Sequence, residues 1–251
     1  MSLRLPLLSD DPRAPFPPAA SALRDPNGLL AMGGDLSPPR LLNAYRHGIF
    51  PWFSEGQPIL WWSPDPRMVF HTDRVRLSSR LRRVLRRSTW TVRADTAFEE
   101  VVVACATAPR RGQRGTWITD AMRRAYARLH RLGHAHSVEV FEGVPGSSRI
   151  VGGIYGVAVG RMFFGESMFG AEPGASKVAL AALARYLYAR GWPLIDAQVE
   201  SAHLRSLGAE SWPREDFLAR IDALCAQADA PGTWAARFGE WPAAALATPA
   251  L

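Results

Sequence analysis

Between His47 and Arg67 the chain reads HGIFPWFSEGQPILWWSPDPR. Four prolines, three tryptophans and two phenylalanines fall within this stretch. Proline fixes φ and removes a backbone donor, so no single helix or central strand can run through it. The large rings nevertheless call for burial. The segment must therefore be an irregular, ring-packed piece set beside more regular elements.

At 251 residues the chain has room for one large domain or two small ones. The net charge is +7, and Lys177 is the only lysine, so nearly all the positive charge is arginine. Arginine binds phosphate through a planar fork of donors, which makes a polyanionic partner one reading of the charge; base composition of the gene is another. Cys105 and Cys225 are far apart and outside any CxxC context, so neither a disulfide framework nor a thiolate metal site is expected. The N-terminus is too rich in proline for a signal peptide, and no apolar run approaches the roughly 20 residues that span a bilayer. A cytoplasmic protein without a membrane segment is expected.

Turns at Pro26-Asn27-Gly28 and Gly33-Gly34-Asp35 precede a helix start at Ser37-Pro38, with Ser37 as N-cap and Gly48 as terminator. Composition shifts near Asp73. VRLSSRLRRVLRRS reads as a helix with Leu77, Leu81, Val84 and Leu85 on one face and Arg80, Arg82, Arg83, Arg86 and Arg87 around the rest. Five arginines without a balancing acid point to phosphate contact, against the alternative of a solvated face. A strand (TWTVRA), a helix (FEEVVVACA) and the arginine-bearing loop APRRGQRGTW follow. Thr119 then caps a helix ended by Gly133. HSVEVFE, a turn at GVPGSS, RIVGGIYGVAVG and RMFFGESMFG read as strands and their connection. ASKVALAALARYLYARG is a helix, WPLIDAQV a buried strand, and two helices close the chain. The pattern predicts an α+β fold: a small N-terminal domain over 1–72, and a domain over 73–251 with a mixed, mostly antiparallel sheet flanked by helices.

Several clusters invite chemistry. His130, His134 and His136 have metal-like spacing, but a helix end at Gly133 separates them, which favours ordinary packing. Ser167, Asp196 and His203 stand in hydrolase order. However, GESMFG lacks the helix that must follow a nucleophile elbow. Asp196 and Gln198 are two apart on a strand, so both are expected on one face, as a reactive pair or as a sheet-end polar pair. Trp117 stands beside arginines, the combination that grips single-stranded nucleic acid by stacking and phosphate contact.

DPNGLLAMGGDLSPPRLLNAYRHGIFPWF, ILWWSPDPR, GTWIT, LGHAHSVEV, GGIYGVAVG, FFGESMF, ASKVAL, LIDAQV and HLRSLGA occur in this order. Together, from Phe16 to Phe217, they resemble the leucyl/phenylalanyl-tRNA–protein transferases. The resemblance implies a C-terminal domain of acetyltransferase-like (GNAT) fold and transfer of Leu, Phe or Met from aminoacyl-tRNA. The acceptor is a protein beginning with Arg or Lys, and the product carries an N-degron. It implies no cofactor, no metal and a monomer. By the same resemblance, Asp196 and Gln198 orient the amine and assist loss of its proton, and Glu166 helps hold the amino-acid end of the donor. Trp52, Trp117, Tyr45 and Tyr126 hold the terminal adenosine and shape its site. Ile154, Met168, Leu180, Leu183 and Ile195 line an apolar side-chain pocket, and Arg80, Arg82, Arg83, Arg86 and Arg87 meet acceptor-stem phosphates.

The proline-bound aromatic segment then becomes a rigid lip from the small domain, with Trp52 toward the adenosine and Trp61 and Trp62 at the domain junction. Two positions depart from the family pattern: Ile154, where Met is frequent, and Ser201, where Asn occurs. The competing readings are an acyl-CoA-dependent N-acetyltransferase and a non-catalytic tRNA-binding protein.

Overall fold

The computed structural model describes residues 5–108, 116–143 and 147–248. The expected loop of 109–115 and the turn over 144–146 lie outside the described residues. Among the described residues, twelve strands form two sheets. The smaller takes the order β1-β2-β4-β3, from β1 (Leu7–Leu8), β2 (Leu29–Gly33), β3 (Phe50–Pro51) and β4 (Leu60–Trp62). Helix α1 (Pro38–Arg46) packs beside it, closed by Gly48 at φ 69°. Ser37 stands at the N-cap of α1 without the expected side-chain cap bond; its N–H donates to Asp35 Oδ1 at 2.7 Å instead. Prolines confine β3 and β4 to two and three residues, as the opening segment requires.

The larger sheet has the order β11-β5-β10-β9-β8-β7-β6-β12. Its strands are β5 (Arg67–His71), β6 (Thr91–Ala94), β7 (Ala135–Glu142), β8 (Arg149–Val159), β9 (Met162–Gly170), β10 (Leu194–Gln198), β11 (Glu210–Trp212) and β12 (Trp241–Pro242). Every neighbouring pair is antiparallel except β9 and β10. Helix α2 is Ser79–Leu85, and β6 leads through α3 (Phe98–Thr107) to α4 (Asp120–Arg131). Helix α5 (Ala175–Ala189) makes the crossover from β9 to β10. Short α6 (Ala202–Ser206) and α7 (Arg214–Cys225) follow.

Because β5 belongs to the larger sheet, the chain passes from the small sheet to the large one between Trp62 and Arg67. The composition shift near Asp73 marks the arginine helix, whereas backbone pairing decides sheet membership. That helix is also shorter than its pattern suggested. Ser78 accepts the Leu81 N–H at 3.2 Å and starts α2 after Leu77, and Val84 points to solvent rather than joining Leu81 and Leu85. One core joins the small sheet and α1 to α3, α4 and one face of the larger sheet, with Leu41, Trp61, Leu129 and Phe164 among its members. A second fills the space between the opposite face, α2 and α5. No helix among the described residues is long and apolar enough to cross a membrane.

Candidate active site

The parallel strands β9 and β10 pair only at Ile195↔Phe163 and Asp196↔Phe164, and then part. At the point of parting, β10 bulges. Asp196 lies opposite Val69 and Gln198 opposite Met68, so Ala197 is the extra residue. Gln198 sits at φ 61°, a left-handed conformation that costs a non-glycine residue about 1–3 kcal/mol. The bulge therefore breaks the strand alternation that would have set Asp196 and Gln198 side by side.

Asp196 turns inward, where it is fully buried and gripped at two points by Arg67. Nε donates to Oδ1 at 2.8 Å and Nη2 to Oδ2 at 2.6 Å. The Arg67 guanidinium lies between the rings of Phe50 (4.8 Å) and Phe217 (4.7 Å) and donates to Gly48 O at 2.9 Å. Arg67 thus ties α7, the aromatic segment and β10 together. Asp196 Oδ1 also accepts the Gln198 N–H at 2.9 Å, which holds the strained residue in place. Both Asp196 oxygens are thus engaged within the protein.

Gln198 Nε2 donates to Glu166 Oε1 at 2.9 Å. Glu166 stands on β9 just past Gly165, where a Cβ would come within 3.1 Å of Asp196 O. The Tyr45 hydroxyl lies 2.7 Å from Glu166 Oε1, the Tyr126 hydroxyl 2.7 Å from Oε2, and the two hydroxyls 2.6 Å from each other. These three oxygen–oxygen contacts close a ring. Two phenols supply two hydrogens, so the third contact is satisfied when Glu166 carries a proton. Burial pushes the Glu166 carboxyl up to about 7, with Asp196 adding repulsion and the tyrosine and Gln198 hydrogen bonds opposing the shift. Burial and the neighbouring Glu166 charge raise both phenols well above their ordinary value. Glu166 is therefore the member of the ring that titrates near neutral pH, while the two phenols keep their protons.

Beside Glu166, in the gap between the parting strands, lies an apolar hollow of about 90 Å³. Ile154, Met168, Leu180 and Ile195 line it, with Ile154 and Met168 paired across β8 and β9. Leu183, expected with them, is fully buried in the same core without lining the hollow. Phe70, Ala197 and Leu204 add to the apolar wall, and Gly165, Glu166, Ser167 and Asp196 close its remaining side.

A wider cleft of about 930 Å³ runs between the aromatic segment and the start of α4. Trp52, 37% exposed, faces it with Trp62 and Trp117. Trp52 and Trp62 have centroids 5.5 Å apart, and Trp62 Nε1 donates to Trp52 O at 2.7 Å. Trp62 lines the cleft and also packs, half-buried, against the core that joins the two sheets. Trp61 is buried in the core under the small sheet, donating to Gly33 O at 2.9 Å and edge-on to Phe16.

Two family models cover this arrangement. The leucyl/phenylalanyl-tRNA protein transferase N-terminal domain matches residues 34–65, and leucyl/phenylalanyl-tRNA protein transferase matches residues 69–222. The chain belongs to this family. A leucyl/phenylalanyl-tRNA–protein transferase of Xanthomonas euvesicatoria pv. vesicatoria is 69% identical over 96% of this chain and 94% of that one. Another from Xanthomonas axonopodis pv. citri is 67% identical over 98% of each chain. A crystal structure of FemX aligns at 12% identity with a TM-score of 0.42, over 74% of this chain and 71% of that one, which is too loose a likeness to carry argument.

For this transferase family chain, the expected site residues separate into groups. Glu166, Gln198, Tyr45 and Tyr126 meet at one point, and Asp196 stands behind it. Tyr45 and Tyr126 are fully buried against Glu166 and are not among the residues that line the cleft. Ser201 is the N-cap of α6 but makes no side-chain cap bond. The five arginines of α2 and its C-terminal turn lie on the α5 side of the sheet, and among the described residues none of them forms an ion pair.

Sequence reasoning missed Arg67. Its signal was a charged residue closing the proline-rich SPDPR run, directly before an apolar strand. The histidines are structural: His136 Nδ1 lies 2.8 Å from Asp95 Oδ2 with its ring stacked on Trp234, and His130 stacks on Phe98. The hydrolase order dissolves, because Asp196 is committed to Arg67 and His203 sits exposed on α6.

Proposed function

We propose that this chain is an aminoacyltransferase that moves Leu, Phe or Met from the 3′ end of an aminoacyl-tRNA to the N-terminal Arg or Lys of a protein, marking it for degradation. One observation carries the reading. Glu166, hydrogen-bonded to Gln198, lines a largely apolar hollow of side-chain character, and the chain also carries an aromatic cleft suited to a nucleobase. The donor's adenosine occupies the cleft against Trp52 and Trp117, its amino-acid side chain fills the hollow, and Glu166 holds the α-amino group between them.

The reaction is an aminolysis. The acceptor nitrogen attacks the ester carbonyl carbon, the carbon–oxygen bond to the ribose breaks, and the nitrogen's proton ends on the ribose oxygen. The ester is already activated, so catalysis consists largely of holding amine and carbonyl in register. Gln198, fixed by its strained backbone and by Asp196, presents its amide oxygen toward the attacking amine. Asp196 and Arg67 are positioning residues in this scheme. Apolar side chains make up most of the hollow's wall, so it discriminates largely by shape, worth about 1–3 kcal/mol per methylene.

The larger sheet supports an acetyltransferase-like (GNAT) organisation, with one parallel pair joined over α5 and the site where that pair parts. The bare arginines Arg80, Arg82, Arg83, Arg86 and Arg87 suit acceptor-stem phosphates. Mass spectrometry of an Arg-initiated peptide incubated with Leu-tRNA tests the activity. A gain of one leucyl residue supports it, and acylation from acyl-CoA instead would replace it with the acetyltransferase reading.

A further inference from the structure

Helix α4 begins at the aromatic cleft and ends far from it. Thr119 caps it, accepting the Met122 N–H at 3.3 Å, and Trp117 stands two residues before that cap. One face, carrying Met122, Ala125, Tyr126 and Leu129, is buried. The other carries Arg123, Arg124, Arg128 and Arg131, all exposed. These four arginines line a groove of about 540 Å³ against Phe98 and Val102 of α3.

Asp120 lines both this groove and the aromatic cleft, so the two adjoin there. Two acids temper the charge: Asp120 pairs with Arg123 at 3.0 Å, and Glu99 lies 3.9 Å from Arg131. Among the described residues, Arg124 and Arg128 make no ion pair. They are four residues apart, so about 6 Å separates them along the helix, and Arg131 follows about 4–5 Å further. A row of guanidinium groups leading away from a cleft lined by indoles matches a nucleic-acid strand whose last base stacks and whose phosphates trail behind.

We propose that the α3–α4 groove binds the phosphate backbone of the RNA donor beyond its terminal adenosine, through Arg124 and Arg128. This is a second track, on the opposite face of the large sheet from the arginines of α2. It rests on the donor reading above. RNA is favoured over an acidic protein because the groove opens onto Trp52, Trp62 and Trp117, which offer stacking surface that an acidic peptide would not use.

The test compares wild type with Arg124→Ala/Arg128→Ala and with Arg124→Lys/Arg128→Lys. Direct tRNA binding is measured from about 50 to 200 mM salt. Two lost phosphate contacts lower the slope of log affinity against log salt by about 1.4–1.8. The alanine pair is expected to show that drop and weaker binding, and the lysine pair to keep most of the slope. Transfer from aminoacyl-adenosine, which has no phosphates, stays at the wild-type rate in both variants and confirms that the site is folded.

An unchanged slope in the alanine pair overturns the proposal. So does competition by poly-glutamate as effective as that of RNA, which would make the groove an acidic-peptide site. If wild type transfers from neither donor, the functional reading fails, while the binding slope still decides the groove.

Discussion

Arg67 and Asp196 form a two-point ion pair with both side chains fully buried, at 2.8 and 2.6 Å. The pair joins the proline-bound aromatic segment to the bulge that presents Gln198. Removing one partner of a buried pair strands the other charge, at a cost of about 3–5 kcal/mol. Asp196→Ala is expected to lose stability of that order in urea unfolding. Asp196→Asn keeps an acceptor for the Gln198 N–H and should lose less. If Asp196 only positions, Asp196→Asn lowers kcat while leaving the shape of the pH–rate profile as in wild type.

Glu166 predicts a pH effect on stability. Its carboxyl is raised from 4.5 to about 7 in the folded protein, mainly by burial. The unfolded chain therefore releases this proton first as pH rises. The stabilisation is complete below about pH 4.5 and is lost as pH climbs through about 7, amounting to roughly 3 kcal/mol. Glu166→Gln keeps a neutral donor–acceptor group in the ring. The difference in unfolding free energy between wild type and this variant should turn against wild type across pH 4.5–7. Glu139, also raised to about 7 by burial, is common to both proteins and cancels in the difference.

Gln198 takes its place by backbone strain at φ 61° as much as by its hydrogen bond to Glu166. Gln198→Gly relieves the strain and should leave stability near wild type. It also removes the amide that faces the amine, so transfer should fall by about 10²-fold or more. A Gln198→Gly variant with wild-type turnover would remove this residue from the chemistry.

The hollow makes a specificity prediction. Ile154 and Met168 face each other across β8 and β9 at its wall. Ile154→Ala enlarges it by several heavy atoms and should shift the kcat/KM ratio of Phe to Leu donors upward by about tenfold, within the 1–3 kcal/mol that one methylene commands. Competition between the two charged tRNAs for one peptide reads the ratio directly.

Much of this arrangement is legible in the sequence, because it is local. The helix ends at Gly48, Gly133 and Gly191 are glycines at positive φ. The strands β7, β8 and β9 follow their apolar runs, and Glu166 stands out as an acid inside one of them. What the residues hide is long-range. Arg67 and Asp196 are 129 positions apart, and nothing in SPDPR says that its arginine will meet the acid of LIDAQV. The bulge at Ala197 is equally silent, since it arises from how β10 meets β5. Tyr45 and Tyr126 read as aromatic lining, but their partners settle their burial: Glu166 lies 121 positions from the first and 40 from the second.

The most direct measurement is transfer of labelled leucine from Leu-tRNA to a peptide beginning with Arg, beside the same peptide with its N-terminus acetylated. The account predicts label in the free-amine peptide alone, and none in it with Gln198→Gly. Label in the acetylated peptide, or no transfer to either by a wild-type protein that binds the tRNA, would contradict N-terminal aminoacyl transfer by this chain.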